Sequence, residues 1–361
     1  MAHESTVAPQ KQAAVSTERL GKVANLRLRR LDEDHATWQR LLSGVGSATL
    51  YHRDSWIKVL ARTYGFQFWL ATLWKEDEII AGCIFAQPRF SRRLISLPFS
   101  DACPPLSREP QSAADLLDAL EAAAPPGRIY EVRGMRGPSS WPTVECFVKW
   151  QLPLDRPLGQ IERSLSVNFR RNLRRASREA ITIERGSSLD LLQRFYKLQL
   201  LSRRRLGLPP QPWRFFKLVR EGFSPTGNFE VWVAQENGKD VASAIFLHDG
   251  FVIHYKWGAR RSNSPSSANH LLFWNTIEEF ASRAQVLDLG RTDIRNPGLM
   301  RFKGELGATA YPLPSSFYPQ APKNVSSEIL TGHWALMAKL WRRMPLPATA
   351  LAGRLVYRFL A

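Results

Sequence analysis

The chain has 361 residues, more than one hydrophobic core of up to about 250 residues accommodates, so two domains with tails are expected. Hydrophobic residues make up 44% and charged residues 23%, which excludes a wholly disordered chain and supplies ample core. The 50 Lys and Arg against 32 Asp and Glu give a formal net charge of +18, a field that attracts RNA, CoA pyrophosphate, sugar-nucleotide phosphates and anionic lipid headgroups alike.

Cys83, Cys103 and Cys146 are widely spaced, which argues against a disulfide framework or a structural zinc site and favours a reducing cytoplasm. Residues 1–22 are small, polar and aperiodic, with no apolar core of signal-peptide length, and are expected to form a disordered leader. No apolar run reaches the length of about 18 residues that a spanning helix needs. The expected location is the cytoplasm, with peripheral contact at the inner face of the membrane as an option.

A first domain is expected over residues 23–154. Asn25 to Leu31 alternates apolar and basic residues as a half-buried strand does. Asp34 and Asp54 are expected to cap helices carrying Trp38 and Leu41, then Trp56, Ile57 and Leu60, and Gly65 ends the second. Phe66 to Phe85 reads as a β-hairpin around Lys75-Glu76-Asp77-Glu78. A further strand at Arg93 to Phe99, a Pro-rich loop, a helix over Ala113 to Ala124 and strands at Arg128 to Arg133 and Phe147 to Leu154 follow. Pro153 and Pro157 mark the boundary.

Residues 155–320 repeat the plan. Phe215 to Arg220 echoes Trp56 to Arg62, and Trp232-Val233-Ala234 echoes Trp69-Leu70-Ala71. Ala242 to Phe246 echoes Ala81 to Phe85, and Asn237-Gly238 supplies a strong hairpin turn. Such a long period indicates duplication of a whole α/β (α+β) domain.

Between the copies, Ser166 to Gly186 places Phe169, Leu173, Ala176 and Ala180 at helical spacing, as one apolar stripe. Arg170, Arg171, Arg174, Arg175 and Arg178 lie largely off it. The mutual repulsion of these arginines points to a phosphate-bearing partner, against the plainer alternative of a solvated basic face. After the second copy, residues 321–361 form a basic amphipathic segment with Trp334, Met337, Leu340 and Trp341 on one side of a helix. It either packs on the body of the protein or lies on an anionic membrane surface.

The richest stretch runs from Phe251 to Ala308. Ser264-Pro265 starts a helix directly after a strand, so the N–H groups near Ser266, Ser267, Ala268 and Asn269 can take a phosphate or an oxyanion. The next strand ends with Asp288 and Arg291. After the turn at Asn296-Pro297-Gly298, Lys303 follows Phe302. Asp288, Asp293 and Tyr255 are candidates for the proton acceptor, with Asp288 first. His248 and His254 flank a strand turn and lack a third metal ligand, so they read as structural, and no metal is expected.

SVNFRRNLRRASREAITIERG resembles the basic helix and strand that open the second domain of Fem-type (FemAB-like) transferases. SANHLLFWNTIEEFASRAQVLDLGRTDIRNPGLMRFKGELGA resembles their C-terminal pattern of a helix, a D-hydrophobic-G-R strand and a Phe-Lys pair before Gly. The pattern is nearest to the bacterial branch named for exopolysaccharide and PEP-CTERM protein-sorting systems.

The resemblance implies tandem duplicated GNAT-like domains, each a mixed, mostly antiparallel sheet flanked by helices. It also implies direct transfer of an acyl or aminoacyl group, from acyl-CoA or aminoacyl-tRNA, to an amine or hydroxyl of a cell-envelope or exopolysaccharide precursor, a phosphate-bearing small molecule or glycan-lipid. Lys303 is expected to stabilise phosphate or the developing oxyanion. Asp288 and Tyr255 complete the catalytic set, and Arg170, Arg171, Arg174, Arg291 and Asn296 the substrate contacts. One departure is that RRSNSPSSAN (260–269) has no glycine where the acyl-CoA loop of ordinary acetyltransferases carries them. The competing expectation is a non-catalytic basic adaptor for RNA or anionic membrane.

Overall fold

In a computed structural model the described residues are 15–16, 24–263, 265, 267–322 and 333–357. The first half runs β1 (Val15–Ser16), β2 (Ala24–Arg30), α1 (His35–Gly44), α2 (Asp54–Tyr64), β3 (Gln67–Lys75), β4 (Glu78–Gln87), β5 (Arg93–Ile95), β6 (Leu106–Ser107), α3 (Pro110–Ala122), β7 (Ile129–Arg133), β8 (Thr143–Val144) and β9 (Phe147–Pro153). Gly65 closes α2 in the left-handed conformation, as its position predicts. Asp34 precedes α1 without a side-chain capping bond, and Asp54 begins α2 but does not cap it; its carboxylate instead pairs with His35 and Gln39.

The second half runs α4 (Leu158–Ser164), α5 (Val167–Arg178), β10 (Ile181–Gly186), α6 (Leu189–Leu206), α7 (Trp213–Phe223), β11 (Phe229–Glu236), β12 (Lys239–Asp249), β13 (Val252–Arg260), α8 (Ser267–Phe280), β14 (Val286–Asp293), α9 (Pro297–Glu305), β15 (Thr309–Pro312), β16 (Ser315–Tyr318), α10 (His333–Arg343) and α11 (Leu346–Val356). Asn237 and Gly238 both take positive φ, 50° and 70°, which is the geometry a tight Asn-Gly hairpin turn needs.

Two mixed sheets result. The first has the order β1-β2-β3-β4-β5-β7-β16-β8, with β6 on β4, and the second β10-β11-β12-β13-β14-β9-β15. β9 comes from the end of the first half yet lies inside the second sheet, between β14 and β15. β16 comes from the end of the second half yet lies inside the first, between β7 and β8. Of the expected leader, Val15 and Ser16 pair with Leu26 and Asn25, and residues 1–14 and 17–23 lie outside the described residues.

The layers follow from which side chains are apolar. One core joins the halves, with Leu41, Trp56 and Leu60 from the first packed with Phe215, Phe216 and Val219 from the second. The repeat-related helices α2 and α7 therefore touch: a Cβ added at Gly222 would lie 3.7 Å from the Ser55 carbonyl oxygen. Outside this layer, α3 covers the far face of the first sheet with Leu116, Leu117 and Leu120. α5 and α8 cover that of the second with Phe169, Ala176, Phe273 and Ile277.

The C-terminal helices pack on α6 with one side and leave Leu340, Leu351 and Leu355 exposed on another. Among the described residues no helix is long and apolar enough to cross a membrane.

Candidate active site

β13 and β14 run parallel and pair at only three positions, Val252 with Val286, Ile253 with Leu287 and His254 with Asp288. Past that point β13 stays with β12 as far as Arg260, and β14 stays with β9 as far as Asp293. The two strands therefore part, opening a wedge in the sheet. Each carries an irregularity at the parting. Ile245 faces Trp257 and Phe246 faces Tyr255, which leaves Lys256 unmatched; Asp288 faces Gln151 and Gly290 faces Trp150, which leaves Leu289 unmatched. Bulges of this kind turn side chains out of the pleat. Asp288 is thus in the body of its strand, five residues before the end at Asp293, a correction to the sequence expectation that the strand stops near Arg291. Gly290, at φ +70°, supplies the bend that lets the strand continue.

At the floor of the wedge His254 Nδ1 lies 3.0 Å from Asp288 Oδ2. Lys149 Nζ, from β9, lies 3.0 Å from the same oxygen, and the Gly290 N–H donates to Asp288 Oδ1 at 2.9 Å. Burial alone would raise the Asp288 carboxyl, but the His254 hydrogen bond, and with it the charge of Lys149, outweigh burial and hold it below the usual carboxylate range. A carboxylate so satisfied is a poor proton acceptor and a good anchor. Asp288 fixes the ring of His254, which is 4% exposed, and leaves Nε2 as the atom able to exchange a proton.

The first half completes the wall. Asp101, from its Pro-rich loop, accepts from Tyr51 Oη at 2.5 Å and from Lys256 Nζ at 3.1 Å. Lys256 also donates to Tyr51 Oη at 2.8 Å and lies 4.6 Å from the Tyr51 ring centroid. Burial works to raise the Asp101 carboxyl; Lys256 first, then the Tyr51 hydroxyl and Arg291, reverse this and hold it well below the usual range. Burial, helped by Asp101, raises the Tyr51 phenol, which stays protonated as a donor. The Tyr51 and His254 rings are 6.1 Å apart, so the two clusters are neighbours. A Cβ at Gly290 would sit 3.5 Å from Asp101 Oδ2 and 3.4 Å from the Tyr255 carbonyl. Space is adequate there, so Gly290→Ala should lose about 1–2 kcal/mol through backbone conformation alone, measurable by denaturant unfolding.

The structure separates the other candidates. Lys303, 4% exposed, donates from Nζ to the carbonyls of Gly290 and Arg291 at 3.1 Å each, so it clamps the bent strand behind Asp288. Arg291 stacks on Phe147 at 4.6 Å. The Tyr255 ring packs on Phe273 at 4.9 Å; its hydroxyl lies against Gly258, and burial pushes its phenol up to about 12. Asp293 accepts from the backbone and guanidinium of Arg295. Asn296 caps α9 by accepting from the Leu299 N–H at 3.1 Å.

At the start of α8, Ser266 lies outside the described residues, Ala268 is buried and Asn269 half-buried. The buried Ser267 hydroxyl donates to the Glu179 carboxylate. The protein's own anion thus stands at this helix end, where the pyrophosphate of acyl-CoA would meet it as a like charge. A second anion-attracting place exists between α5, α8 and α9, a cleft of about 450 Å³ lined by Arg171, Arg175, His270, Arg301, Phe302 and Glu305. Arg170 is half-buried and Arg174 exposed.

Burial raises the thiols of Cys83, Cys103 and Cys146, which keeps them poor nucleophiles. Among the described residues no group of His, Cys, Asp and Glu is placed to hold a metal. Sequence reasoning set His254 aside as structural and missed Lys149, Tyr51, Asp101 and Lys256 as site residues. The strand partnership of His254 with Asp288 is visible only once register is known, and Asp101 sits in a loop with no pattern.

Residues 163–304 match the family model described as an acetyltransferase (GNAT) domain. No curated protein matches the chain. Among solved structures, FemX is similar at 12% identity and TM-score 0.57, covering 78% of this chain and 95% of that one. The C-terminal domain of a putative lysylphosphatidylglycerol synthetase from Agrobacterium fabrum is similar at 13% identity and TM-score 0.55, covering 80% and 92%. A tandem GNAT protein from the clavulanic acid biosynthesis pathway is similar at 10% identity and TM-score 0.52, covering 83% and 100%. The chain therefore has a tandem GNAT-like fold, with the match to the acetyltransferase (GNAT) domain in its second half.

Proposed function

We propose that the protein transfers an acyl or aminoacyl group directly to an amine or hydroxyl at the wedge between β13 and β14. The observation that carries this reading is the His254–Asp288 pair at the last matched position of those strands. His254 Nε2 takes the proton that the acceptor loses as its lone pair attacks the donor carbonyl. Asp288, held by Lys149, keeps the imidazole oriented and stabilises it once protonated. Collapse of the tetrahedral intermediate then expels the donor's carrier, without a covalent enzyme intermediate, in keeping with thiols that burial keeps protonated.

The donor is an acyl group on a phosphate-bearing carrier, acyl-CoA or aminoacyl-tRNA, with its phosphates drawn to Arg171, Arg175 and Arg301. The acceptor is a cell-envelope or exopolysaccharide precursor, a phosphate-bearing small molecule or glycan-lipid. The lysylphosphatidylglycerol synthetase domain among the similar folds supports a phosphate-bearing lipid within that range.

Incubation of the purified protein with acyl-CoAs or charged tRNA and amine acceptors, followed by mass spectrometry, tests the reading: wild type should form the acylated acceptor. Full turnover by a folded His254→Ala variant would remove it. Lys303→Met tests the clamp. It should lower transfer and also cost about 1–3 kcal/mol in unfolding free energy, because the buried carbonyl of Gly290 and the part-buried one of Arg291 lose their donor; a lost rate at unchanged stability would instead favour direct oxyanion contact by Lys303.

A further inference from the structure

The end of α6, α10 and α11 form a surface that the chemistry above does not use. Gly207, just after α6, packs against α10 so closely that a Cβ there would lie 2.8 Å from the Ala338 Cβ. Gly353 packs on Pro210, where a Cβ would lie 2.5 Å from the carbonyl oxygen. Ala338, Trp341, Thr349 and Tyr357 face inward and are buried. The outward sides do not look like an ordinary solvated surface. Leu206, Leu340, Leu351 and Leu355 are 48%, 57%, 61% and 55% exposed, and Leu351 and Leu355 share one face of α11 at a spacing of four.

Along these elements the exposed charge has one sign. Arg205, Lys339, Arg342, Arg343 and Arg354 are exposed. No Asp or Glu occurs between Asp190 and Glu221 or after Glu328, so no acidic residue of these elements offsets them. Apolar side chains ringed by lysine and arginine fit the boundary of an anionic bilayer, where the cations meet headgroups and the leucines enter the acyl region. RNA would satisfy the cations and leave four leucines in water, so lipid is the better match. We infer that this face docks the protein on an anionic lipid surface.

The docking face is tied to the site. The Tyr357 ring, at the end of α11, lies 6.2 Å from Tyr64 and 5.1 Å from Phe99, and Phe99 is two residues from Asp101.

Flotation of the full chain with vesicles of phosphatidylcholine, or of phosphatidylcholine mixed with phosphatidylglycerol, tests the inference. Wild type should float with the anionic vesicles alone, and added salt should release it. Arg342→Gln with Arg343→Gln should weaken binding about thirtyfold, on the order of 1 kcal/mol per surface cation. Leu351→Asp with Leu355→Asp should also abolish flotation while unchanged thermal unfolding shows that the fold is kept. Equal binding to neutral vesicles, flotation unaffected by the leucine changes, or binding to single-stranded RNA with none to vesicles would each overturn it.

Discussion

An H254A enzyme is expected to transfer acyl groups about 10²–10⁴-fold more slowly than wild type, the contribution typical of a positioned general base. Unfolding by denaturant should show that the variant remains folded, since Asp288 keeps Lys149 and the Gly290 N–H as partners. Loss should appear in kcat more than in KM, because the imidazole acts on the proton that moves in the transition state and not on ground-state binding. D288N should also lower kcat, because an amide cannot replace the carboxylate that orients the ring. Steady-state kinetics on both variants separate the two roles from a purely structural one, which would move stability and leave kcat intact in the folded fraction.

The second large effect concerns the joint between the halves. Asp101→Ala should destabilise the protein by about 3–5 kcal/mol at neutral pH, because it leaves Lys256 as a buried ammonium without its counter-ion. The Lys256 side chain is 4% exposed and that of Asp101 16%, so solvent cannot substitute for the lost partner. Replacing both by apolar side chains, Asp101→Leu with Lys256→Met, should recover much of the loss.

The pair also sets an acid dependence. The carboxyls of Asp101 and Asp288 are held below their ordinary range in the folded state. Their contribution is fully present above the unfolded value of about 4 and is lost as pH falls through the depressed folded values. Wild-type stability should therefore drop below about pH 4, and the gap between wild type and Asp101→Asn should narrow there. Urea titrations across that range measure it.

Much of the architecture was legible because it is written in short-range patterns. The duplication showed in Trp69-Leu70-Ala71 and Trp232-Val233-Ala234, which both fall in the first strand of a hairpin, β3 and β11, although Trp69 faces Phe85 and Trp232 faces Ala244, a difference of two residues in register. The Asn-Gly turn, the Gly65 stop and the Asn296 cap are local backbone demands that few residue types meet. The site was harder, because it depends on register and on contacts across the chain. Asp288 and His254 are 34 residues apart and meet only because β13 and β14 are parallel neighbours. Tyr51, Asp101 and Lys256 come together across 205 residues, and no periodicity reports such a meeting. Lys303 was legible as a residue of consequence, but its carbonyl partners depend on the bend at Gly290.

The crossing of β9 and β16 bears on how the protein is made. A ribosome delivers residues 24–144 long before Ser315–Tyr318, yet the first sheet has a gap between β7 and β8 until that late segment arrives. The emerging N-terminal half must therefore wait with exposed strand edges, a hazard for self-association that a chaperone or rapid synthesis would shorten. Once both insertions are made, each half is sewn through the other. Each sheet then holds a strand from the other half, so displacing β9 or β16 takes backbone pairing from both halves at once.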